Sequence, residues 1–408
     1  MEIAFHLGRD DAKATQTDSG GFKDKITNSG MKEQNMTFRP FSRRRLLQGA
    51  GVAALAGALP IQTAFAKSAT VGFIYVGPRD DFGYNQAHAE GAAAVKKMKG
   101  VKVVEEERIP ETVQVAKTME SMINLDGAGL LFPTSFGYFN PYILQEAKKY
   151  PKVRFEHAGG LWTKKDPKNV GSYFGYIFEG QYINGIIAGY ASKSGKLGFV
   201  AAKPIPQVLQ NINAFTLGAQ SVNPKATTQV IFTGDWSLPV KEAEATNSMI
   251  DQGVDVVTMH VDSPKVVVQT AAKRGAMVCG YHCSQAALAP KLYLTGAEWN
   301  WTDLYPKFVT MWTKGEEIPN FYRGGFKEGL IKQSPYGPKV SAEARKHADA
   351  VKAKLMAGGY VIFKGPISDN TGKIVVAAGS ELSQSNATDA KLESMHFLVA
   401  GVKGSLPS

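Results

Sequence analysis

Residues whose types suit small-molecule binding lie together in one short segment. Asp81, Tyr84 and Asn85 bring a carboxylate, an aromatic ring and an amide within five positions. An aromatic ring can cover the face of a planar ligand, while a carboxylate or an amide can bond its edge. We therefore predict that these three residues contact a ligand.

The elements that must position this segment are a strand before it and a helix after it. The apolar run 70–76 precedes the Gly77-Pro78 turn, and apolar residues recur at helical spacing between Ala87 and Met98. In open α/β sheets, ligands bind at the carboxyl ends of the strands, where loops of this kind collect. The ligand site should therefore be assembled from several such loops.

Candidate contacts come from loops in both halves of the chain. Tyr84, Phe136 and Trp236 can clamp a flat ring, and polar side chains can fix its orientation. This combination favours a planar, nitrogen-rich, uncharged ligand, although ordinary packing in a cavity wall is the alternative for each aromatic residue. The full set of candidates is Asp81, Tyr84, Asn85, Phe136, Asn211, Trp236, Asp262, His282, Ser284 and Asn300.

Familiar catalytic motifs are missing from the sequence after residue 67. It has no Gly-x-Ser-x-Gly elbow, phosphate-binding loop, dinucleotide glycine fingerprint or zinc-protease helix. His88, His157, His260 and His282 occur singly, so only a catalytic set assembled by folding would make the protein an enzyme. We predict a binding protein that is not an enzyme and that uses no cofactor.

Cys279 and Cys283 are the two cysteines of the chain. Together with His282 they supply at most three ligands in one loop, and a structural zinc ion needs four. A local disulfide, two free thiols and a weak metal site all remain open. Structural cysteines are favoured, and no metal site is predicted.

The net charge of +11 does not by itself indicate nucleic-acid binding. No arginine-rich run recurs after residue 45, and lysines are interleaved with acids along the rest of the chain. That pattern is typical of a solvated basic surface, so we predict no nucleic-acid partner. At 408 residues the chain is long enough for two hydrophobic cores.

Residues 1–66 are predicted to be a leader with a twin-arginine signal peptide. Ser42-Arg43-Arg44-Arg45-Leu46-Leu47-Gln48 precedes a short alanine-rich run, and Ala64-Phe65-Ala66 offers a small-x-small cleavage site. The run is too short for a permanent span, and no lipid-attachment cysteine follows it; a buried helix is the alternative. We predict export to the periplasm as a soluble protein that starts near Lys67.

Apolar runs alternate with amphipathic segments from Ala69 onward, as in parallel sheets flanked by helices. The predicted strands are 70–76, 101–107, 128–132, 153–157 and 170–174, then 197–201, 228–232, 254–258 and 276–280, with helices near 207–220, 240–252, 264–274 and 302–314. Between the two series, residues 179–190 form a helix that is apolar on most sides, in which Gly185 and Gly189 permit close packing. We predict an α/β fold with two doubly wound parallel-sheet lobes joined by a hinge.

The chain should cross between the lobes more than once. Lobe 1 is predicted to contain residues 67–176 and about 298–318, and lobe 2 to contain residues 177–297 and about 319–408 with a C-terminal extension. The ligand cleft then lies between the strand ends of the two lobes.

A series of ordered motifs extends from about Ala69 through the 320s. The motifs are Asp81-Phe82-Gly83-Tyr84-Asn85-Gln86 with Glu90-Gly91, Pro133-Thr134-Ser135-Phe136-Gly137, Phe155-Glu156-His157, Tyr173-Phe174-Gly175, Ile205-Pro206-Gln207-Val208, Asn213-Ala214-Phe215-Thr216-Leu217-Gly218-Ala219, Val222-Asn223-Pro224, Trp236 with Lys241-Glu242-Ala243, and Asp262-Ser263-Pro264. The series resembles the basic membrane protein family, the extracytoplasmic substrate-binding components of ABC transporters for purine bases or nucleosides.

The resemblance implies a type I periplasmic binding protein fold. It implies that Asp81, Tyr84 and Asn85 hold the ligand from lobe 1, with Tyr84 stacked on the base. Nucleoside-binding relatives have a second aromatic residue where this chain has Asn211, so Trp236 or Phe136 would complete the clamp.

One departure lies in the loop at 280–284. Relatives commonly have a Ser-Asp pair where this chain has Cys283-Ser284. The motifs as a whole look closest to those of members that bind free bases such as adenine.

The resemblance implies that the protein binds a purine base or nucleoside-like molecule between its lobes. It would deliver that ligand to an ABC permease in the inner membrane. A ligand-sensing receptor of the same fold is the alternative, and a nucleoside hydrolase-type enzyme is a further one.

Overall fold

The computed structural model describes residues 69–383 and 390–407, so the predicted leader lies outside the described residues. The strands are β1 (Ala69–Ile74), β2 (Val101–Glu106), β3 (Ala128–Pro133), β4 (Arg154–Ala158), β5 (Val170–Gly175), β6 (Lys196–Ala201), β7 (Thr227–Phe232), β8 (Val256–His260), β9 (Met277–His282), β10 (Tyr293–Trp299), β11 (Phe321–Gly324), β12 (Ile331–Gln333), β13 (Phe363–Lys364), β14 (Ile367–Ser368), β15 (Ile374–Val376), β16 (Glu381–Leu382) and β17 (Val402–Lys403).

Helices alternate with these strands over most of the chain. They are α1 (Tyr84–Lys96), α2 (Val113–Asn124), α3 (Leu144–Lys149), α4 (Phe178–Ala191), α5 (Pro206–Gln220), α6 (Pro239–Asp251), α7 (Lys265–Lys273), α8 (Trp301–Thr313), α9 (Ala342–Met356) and α10 (Ala390–Glu393). None of the helices within residues 69–383 and 390–407 is long and apolar enough to cross a membrane.

Two large sheets organise the described chain. The first has six parallel strands in the order β11-β5-β4-β3-β1-β2, and the second has seven in the order β12-β10-β9-β8-β6-β7-β17, in which only β12 runs antiparallel. Parallel neighbours need crossover connections, which the helices supply. The predicted α/β fold with two doubly wound lobes is confirmed, and the predicted strands and helices of both series are present within a few residues.

We define lobe 1 as the first sheet with helices α1 to α3 and α8. We define lobe 2 as the second sheet with helices α4 to α7 and α9. The chain passes between them after β5, between β10 and α8, and between β11 and β12. Residues 321–324 pair with β5 in lobe 1, whereas the sequence assigned everything after about 319 to lobe 2. The short β11 carries no periodicity that would have revealed its sheet.

Helix α4 is buried on almost every side, as its composition predicted. Its partner is α5, and the two backbones approach closely where glycines face them. A Cβ atom on Gly185 would lie 2.0 Å from the Phe215 carbonyl oxygen, and one on Gly218 would lie 2.2 Å from that of Tyr182. The close packing expected at Gly185 is therefore confirmed.

The C-terminal segment completes lobe 2. Strand β17 pairs with β7 at the outer edge of the second sheet. Asn213 of α5 fixes the approach to this strand, since its amide donates to the Phe397 carbonyl at 2.8 Å and accepts the Val399 N–H at 2.9 Å. The C-terminal extension thus contributes an edge strand to the second sheet.

Both cysteines are buried free thiols, which decides among the possibilities left open by their spacing. Cys279 lies inside β9, and burial raises the pKa of its thiol. No group of three or more histidine, cysteine, aspartate or glutamate side chains in the described residues is arranged to hold a metal ion.

Candidate functional site

The loop from Gly77 to Asn85 joins β1 to α1, and Asp81 organises it. One oxygen of the Asp81 carboxylate accepts the N–H groups of Gly83 (2.8 Å) and Gln86 (3.0 Å), and the other accepts the N–H (3.0 Å) and the side-chain amide (2.8 Å) of Asn85. Burial raises the pKa of Asp81 and these hydrogen bonds oppose the rise. Asp81 therefore satisfies the first turn of α1, and its oxygens are already occupied.

The same loop joins the two lobes directly. The Tyr84 N–H donates to the Asp262 carbonyl at 2.9 Å, and a Cβ atom on Gly83 would lie 1.9 Å from that oxygen. Phe82 adopts a positive φ of 56°, a conformation that non-glycine residues rarely take. A strained residue beside a required glycine is typical of a functional contact.

A cavity of about 360 Å³ opens between the carboxyl ends of the strands of the two lobes. Its wall is made of loops that follow strands of both sheets. The lining residues are Val76, Gly77, Pro78, Tyr84, Asn85, Glu111, Ser135, Phe136, Ala158, Phe174, Ile205, Gln207, Asp235, Trp236, Ser237, His260, Asp262, Ser263, Tyr281, His282 and Trp299.

Aromatic rings from both lobes form much of this wall. Tyr84 donates its hydroxyl to the Thr134 carbonyl at 2.6 Å, which fixes its ring at the cavity edge of lobe 1. Phe136 lines the cavity on the same side and is 46% exposed, and Trp236 lines it from lobe 2. Such an arrangement can cover both faces of a flat ligand.

Two buried histidines of lobe 2 line the cavity as neutral rings. The Asn211 amide donates to Nδ1 of His260 at 2.7 Å, and the Trp299 indole N–H donates to Nδ1 of His282 at 2.8 Å. Burial lowers the pKa of His260 to about 3 and that of His282 well below its usual value. Each ring is therefore neutral, and His282 carries its proton on Nε2, because the indole N–H bonded to its Nδ1 can only donate.

The charges on the cavity wall are acidic. Glu111 accepts hydrogen bonds from the Ser135 hydroxyl and the Gly137 N–H, and Asp235 pairs with Lys203 at 2.8 Å. Among the residues that the structure describes, no lysine or arginine lines the cavity. The site is therefore suited to a neutral or cationic ligand and not to an anion such as a nucleotide.

Six of the ten residues selected from the sequence line the cavity, and four do not. The lining residues are Tyr84, Asn85, Phe136, Trp236, Asp262 and His282. Asp81 and Asn211 are buried behind the wall, with their polar atoms bonded to the α1 turn and to His260. Their influence on a ligand is indirect.

Ser284 and Asn300 point elsewhere for identifiable reasons. Ser284 is exposed, and its hydroxyl accepts the Ala286 N–H at 3.4 Å. Asn300 is the residue before α8, and its amide donates to Asp303 at 2.7 Å and to the Gly329 carbonyl at 2.9 Å. The polar atoms of both residues are therefore bonded within the protein and lie outside the cavity wall.

Sequence reasoning omitted several wall residues, among them Glu111, His260, Tyr281 and Trp299. Glu111 follows β2 by five residues, so the same strand-end rule would have selected it. Trp299 ends β10, a strand that is not among those predicted from the sequence. Its position at the carboxyl end of a strand was the missed signal.

The sequence is similar to that of a known protein family and to those of several known proteins. The sequence model of the Bmp family, described as "ABC transporter substrate-binding protein PnrA-like", matches residues 68–361. A purine-binding protein of Brucella abortus is 37% identical over 83% of this chain and 93% of its own length. A putative ABC transporter glucose-binding protein of Haloferax volcanii is 29% identical over 84% of this chain and 82% of its own.

Among solved structures, an ABC transporter solute-binding protein from Conexibacter woesei superposes with a TM-score of 0.61. The match covers 72% of this chain and 97% of that protein at 21% identity. At this level of identity the likeness concerns the fold.

Proposed function

We propose, from the premise that this chain belongs to the Bmp family of PnrA-like ABC transporter substrate-binding proteins, that its cavity binds a purine base or a closely related flat heterocycle. The protein has the type I periplasmic binding protein fold and is the substrate-binding component of an ABC transporter. The chemical identity of its ligand is the proposed part.

The observation that carries the proposal is the composition of the cavity wall. Tyr84 and Phe136 on one side and Trp236 on the other offer aromatic faces, while no lysine or arginine of the described chain lines the space. Aromatic faces suit a planar ring, and the missing cations disfavour phosphorylated forms. The purine-binding relative from Brucella abortus supports the same class of ligand.

The ligand acts by stabilising contact between the lobes. Tyr84, Asn85 and Phe136 belong to lobe 1, whereas Trp236, Asp262 and His282 belong to lobe 2. A molecule that touches both sets binds the closed form more tightly than the open form, and only that difference can drive closure. The closed form is then the one delivered to a permease in the inner membrane.

The site of action follows from the family, whose members are extracytoplasmic. We further propose that residues 1–66 carry the protein to the periplasm by the twin-arginine route, because the Arg43-Arg44 pair and Ala64-Phe65-Ala66 have the composition of such a signal. A fusion of residues 1–66 to a reporter should lose export when Arg43 and Arg44 are both changed to lysine.

Isothermal titration of the purified protein tests the ligand. Adenine, hypoxanthine, guanine, their nucleosides and glucose would be titrated in parallel, with glucose included because of the Haloferax relative. We expect saturable binding by at least one purine base and none by glucose. Binding of glucose alone, or of no purine, would refute the proposed ligand.

A further inference from the structure

The carboxylate of Asp262 is a polar group on the cavity wall that the protein leaves without a partner. The main chain of this residue is fixed, because its N–H donates to the Trp236 carbonyl at 2.7 Å and its carbonyl accepts the Tyr84 N–H at 2.9 Å. Within residues 69–383 and 390–407, its carboxylate makes no hydrogen bond and no ion pair. Asp262 is half-buried and lines the cavity, so its carboxylate is available to a bound ligand.

The ionisable groups that face Asp262 from the neighbouring elements are mainly acidic. The negative charges that act on Asp262 belong to Asp81 and Glu111 of lobe 1 and to Asp235 and Glu242 of lobe 2. Burial is the main cause that raises the pKa of Asp262, and the four negative charges raise it further, so that it lies well above its usual value. Like charges in a desolvated site favour the protonated form of a carboxyl group.

The nearby cations are committed elsewhere. Lys203 is paired with Asp235 at 2.8 Å, and the Lys265 ammonium lies over the Phe82 ring at 5.5 Å from its centre. Neither bonds the Asp262 carboxylate. Among the residues described, no lysine or arginine on the cavity wall therefore opposes protonation of Asp262.

The other titratable neighbours are neutral. Burial lowers the pKa values of His260 and His282, so neither imidazole becomes a cation at neutral pH. Burial also raises the pKa values of the Tyr84 and Tyr281 hydroxyls. The surroundings of Asp262 thus contain acids and neutral groups.

We propose that Asp262 recognises the ligand as a neutral carboxylic acid, through two parallel hydrogen bonds to a ring edge that carries one donor beside one acceptor. The inference rests on the proposed purine ligand and specifies how its edge is read. The amino group and adjacent ring nitrogen of adenine form such an edge, and so do the N–H and carbonyl of hypoxanthine.

The protonation state changes what the site can accept. A neutral carboxyl group offers one O–H donor and one carbonyl acceptor, whereas a carboxylate offers acceptors alone. An asparagine side chain also offers one donor group and one acceptor, and it does not titrate. Asp262→Asn therefore imitates the neutral acid, and Asp262→Ala removes both groups.

The test compares the wild-type protein with these two variants by titration with whichever of adenine and hypoxanthine binds the wild type. We expect Asp262→Asn to bind within about threefold of the wild type at pH 6, and Asp262→Ala to bind about 30-fold or more weakly, since two buried hydrogen bonds are lost. Unfolding midpoints would show that all three proteins are folded.

The pH dependence supplies an independent measurement. Wild-type affinity should fall as the pH rises through the raised pKa of Asp262, while Asp262→Asn shows no such fall. The ratio of the two affinities at each pH removes the titration of the ligand itself. For adenine, methylation of the amino group to N6,N6-dimethyladenine should weaken binding to the wild type, because the donor is lost.

Three outcomes would overturn the inference. Loss of binding in Asp262→Asn equal to that in Asp262→Ala, with wild-type affinity rising with pH, would show that the ionised carboxylate binds. Unchanged affinity in Asp262→Ala would remove Asp262 from the contact while leaving the purine ligand in place. Failure of the wild type to bind any purine would refute the proposed function itself.

Discussion

Gln285 of lobe 2 donates its side-chain amide to the main-chain carbonyl of Phe82 in lobe 1 at a distance of 2.7 Å. Gln285 is fully buried, and the same side chain accepts the Tyr281 N–H at 3.0 Å and donates to the Tyr281 carbonyl at 2.7 Å. The loop after β9 is therefore tied to the strained Phe82 turn across the cleft. This bond exists only while the lobes are in contact.

We expect Gln285→Ala to weaken ligand binding about fivefold, because the closed form loses one buried interlobe hydrogen bond worth about 1 kcal/mol. Ser284→Ala is the matched control, because Ser284 precedes Gln285 in the same loop but its side chain is exposed and lies outside the cavity wall. Calorimetry gives the affinities, and small-angle X-ray scattering should show a smaller ligand-induced compaction for Gln285→Ala. Equal ligand affinities of the two variants would contradict a role for the Gln285–Phe82 hydrogen bond in stabilising the closed form.

Tyr84 separates a stacking role from a hydrogen-bonding role. Tyr84→Ala should lower the affinity for a purine base by about 1–3 kcal/mol if its ring stacks on the base. Tyr84→Phe keeps the ring and loses the bond to the Thr134 carbonyl, so it should leave affinity nearly unchanged and cost about 1 kcal/mol of unfolding free energy. An unaffected affinity in Tyr84→Ala would exclude Tyr84 from the contact.

His88 predicts a pH dependence of stability. It is fully buried behind Tyr84, and burial lowers its pKa to about 3 from an ordinary 6.5. Below pH 6.5, His88 therefore binds a proton in the unfolded chain but stays neutral in the folded protein. Protonation stabilises the unfolded chain, so the unfolding free energy falls as the pH falls. Between pH 7.5 and 5.5 its contribution is about 1.4 kcal/mol.

The variant His88→Gln isolates this contribution. Glutamine does not titrate, so the difference in unfolding free energy between the wild type and the variant should change by that amount over the same pH interval, whatever the constant cost of repacking. Denaturant titrations at several pH values measure it. A difference that stays constant with pH would mean that folded His88 is protonated as readily as unfolded His88.

The fold was predictable because the apolar residues of its strands and helices recur with the period of each element. Apolar runs of strand length alternate with helical spacing through both lobes, and the parallel arrangement follows from that alternation. The short β11 and β17, at 321–324 and 402–403, were not predictable, because two to four residues carry no period and their pairing depends on the partner strand.

The candidate site was predictable at the level of loops and less so at the level of atoms. The strand-end rule selected Tyr84, Trp236 and Asp262, which line the cavity. It also selected Asp81, whose carboxylate accepts backbone N–H groups at the start of α1, and Asn300, whose amide donates to the Asp303 carboxylate and to the Gly329 carbonyl. Sequence does not reveal whether a polar side chain is already bonded by its own turn, and that decides whether it can meet a ligand.

The contact between α4 and α5 yields a last prediction about lobe 2. A methyl group at Gly185 would meet the Phe215 carbonyl oxygen at 2.0 Å, and this backbone atom cannot rotate away as a side chain does. Gly185→Ala should therefore lower the unfolding free energy by about 1–3 kcal/mol through overpacking. Gly359→Ala is the matched control, because nothing lies within 4 Å of its added Cβ atom. Urea unfolding of both variants measures the difference, and equal stabilities would show that α4 and α5 separate freely enough to admit the methyl group.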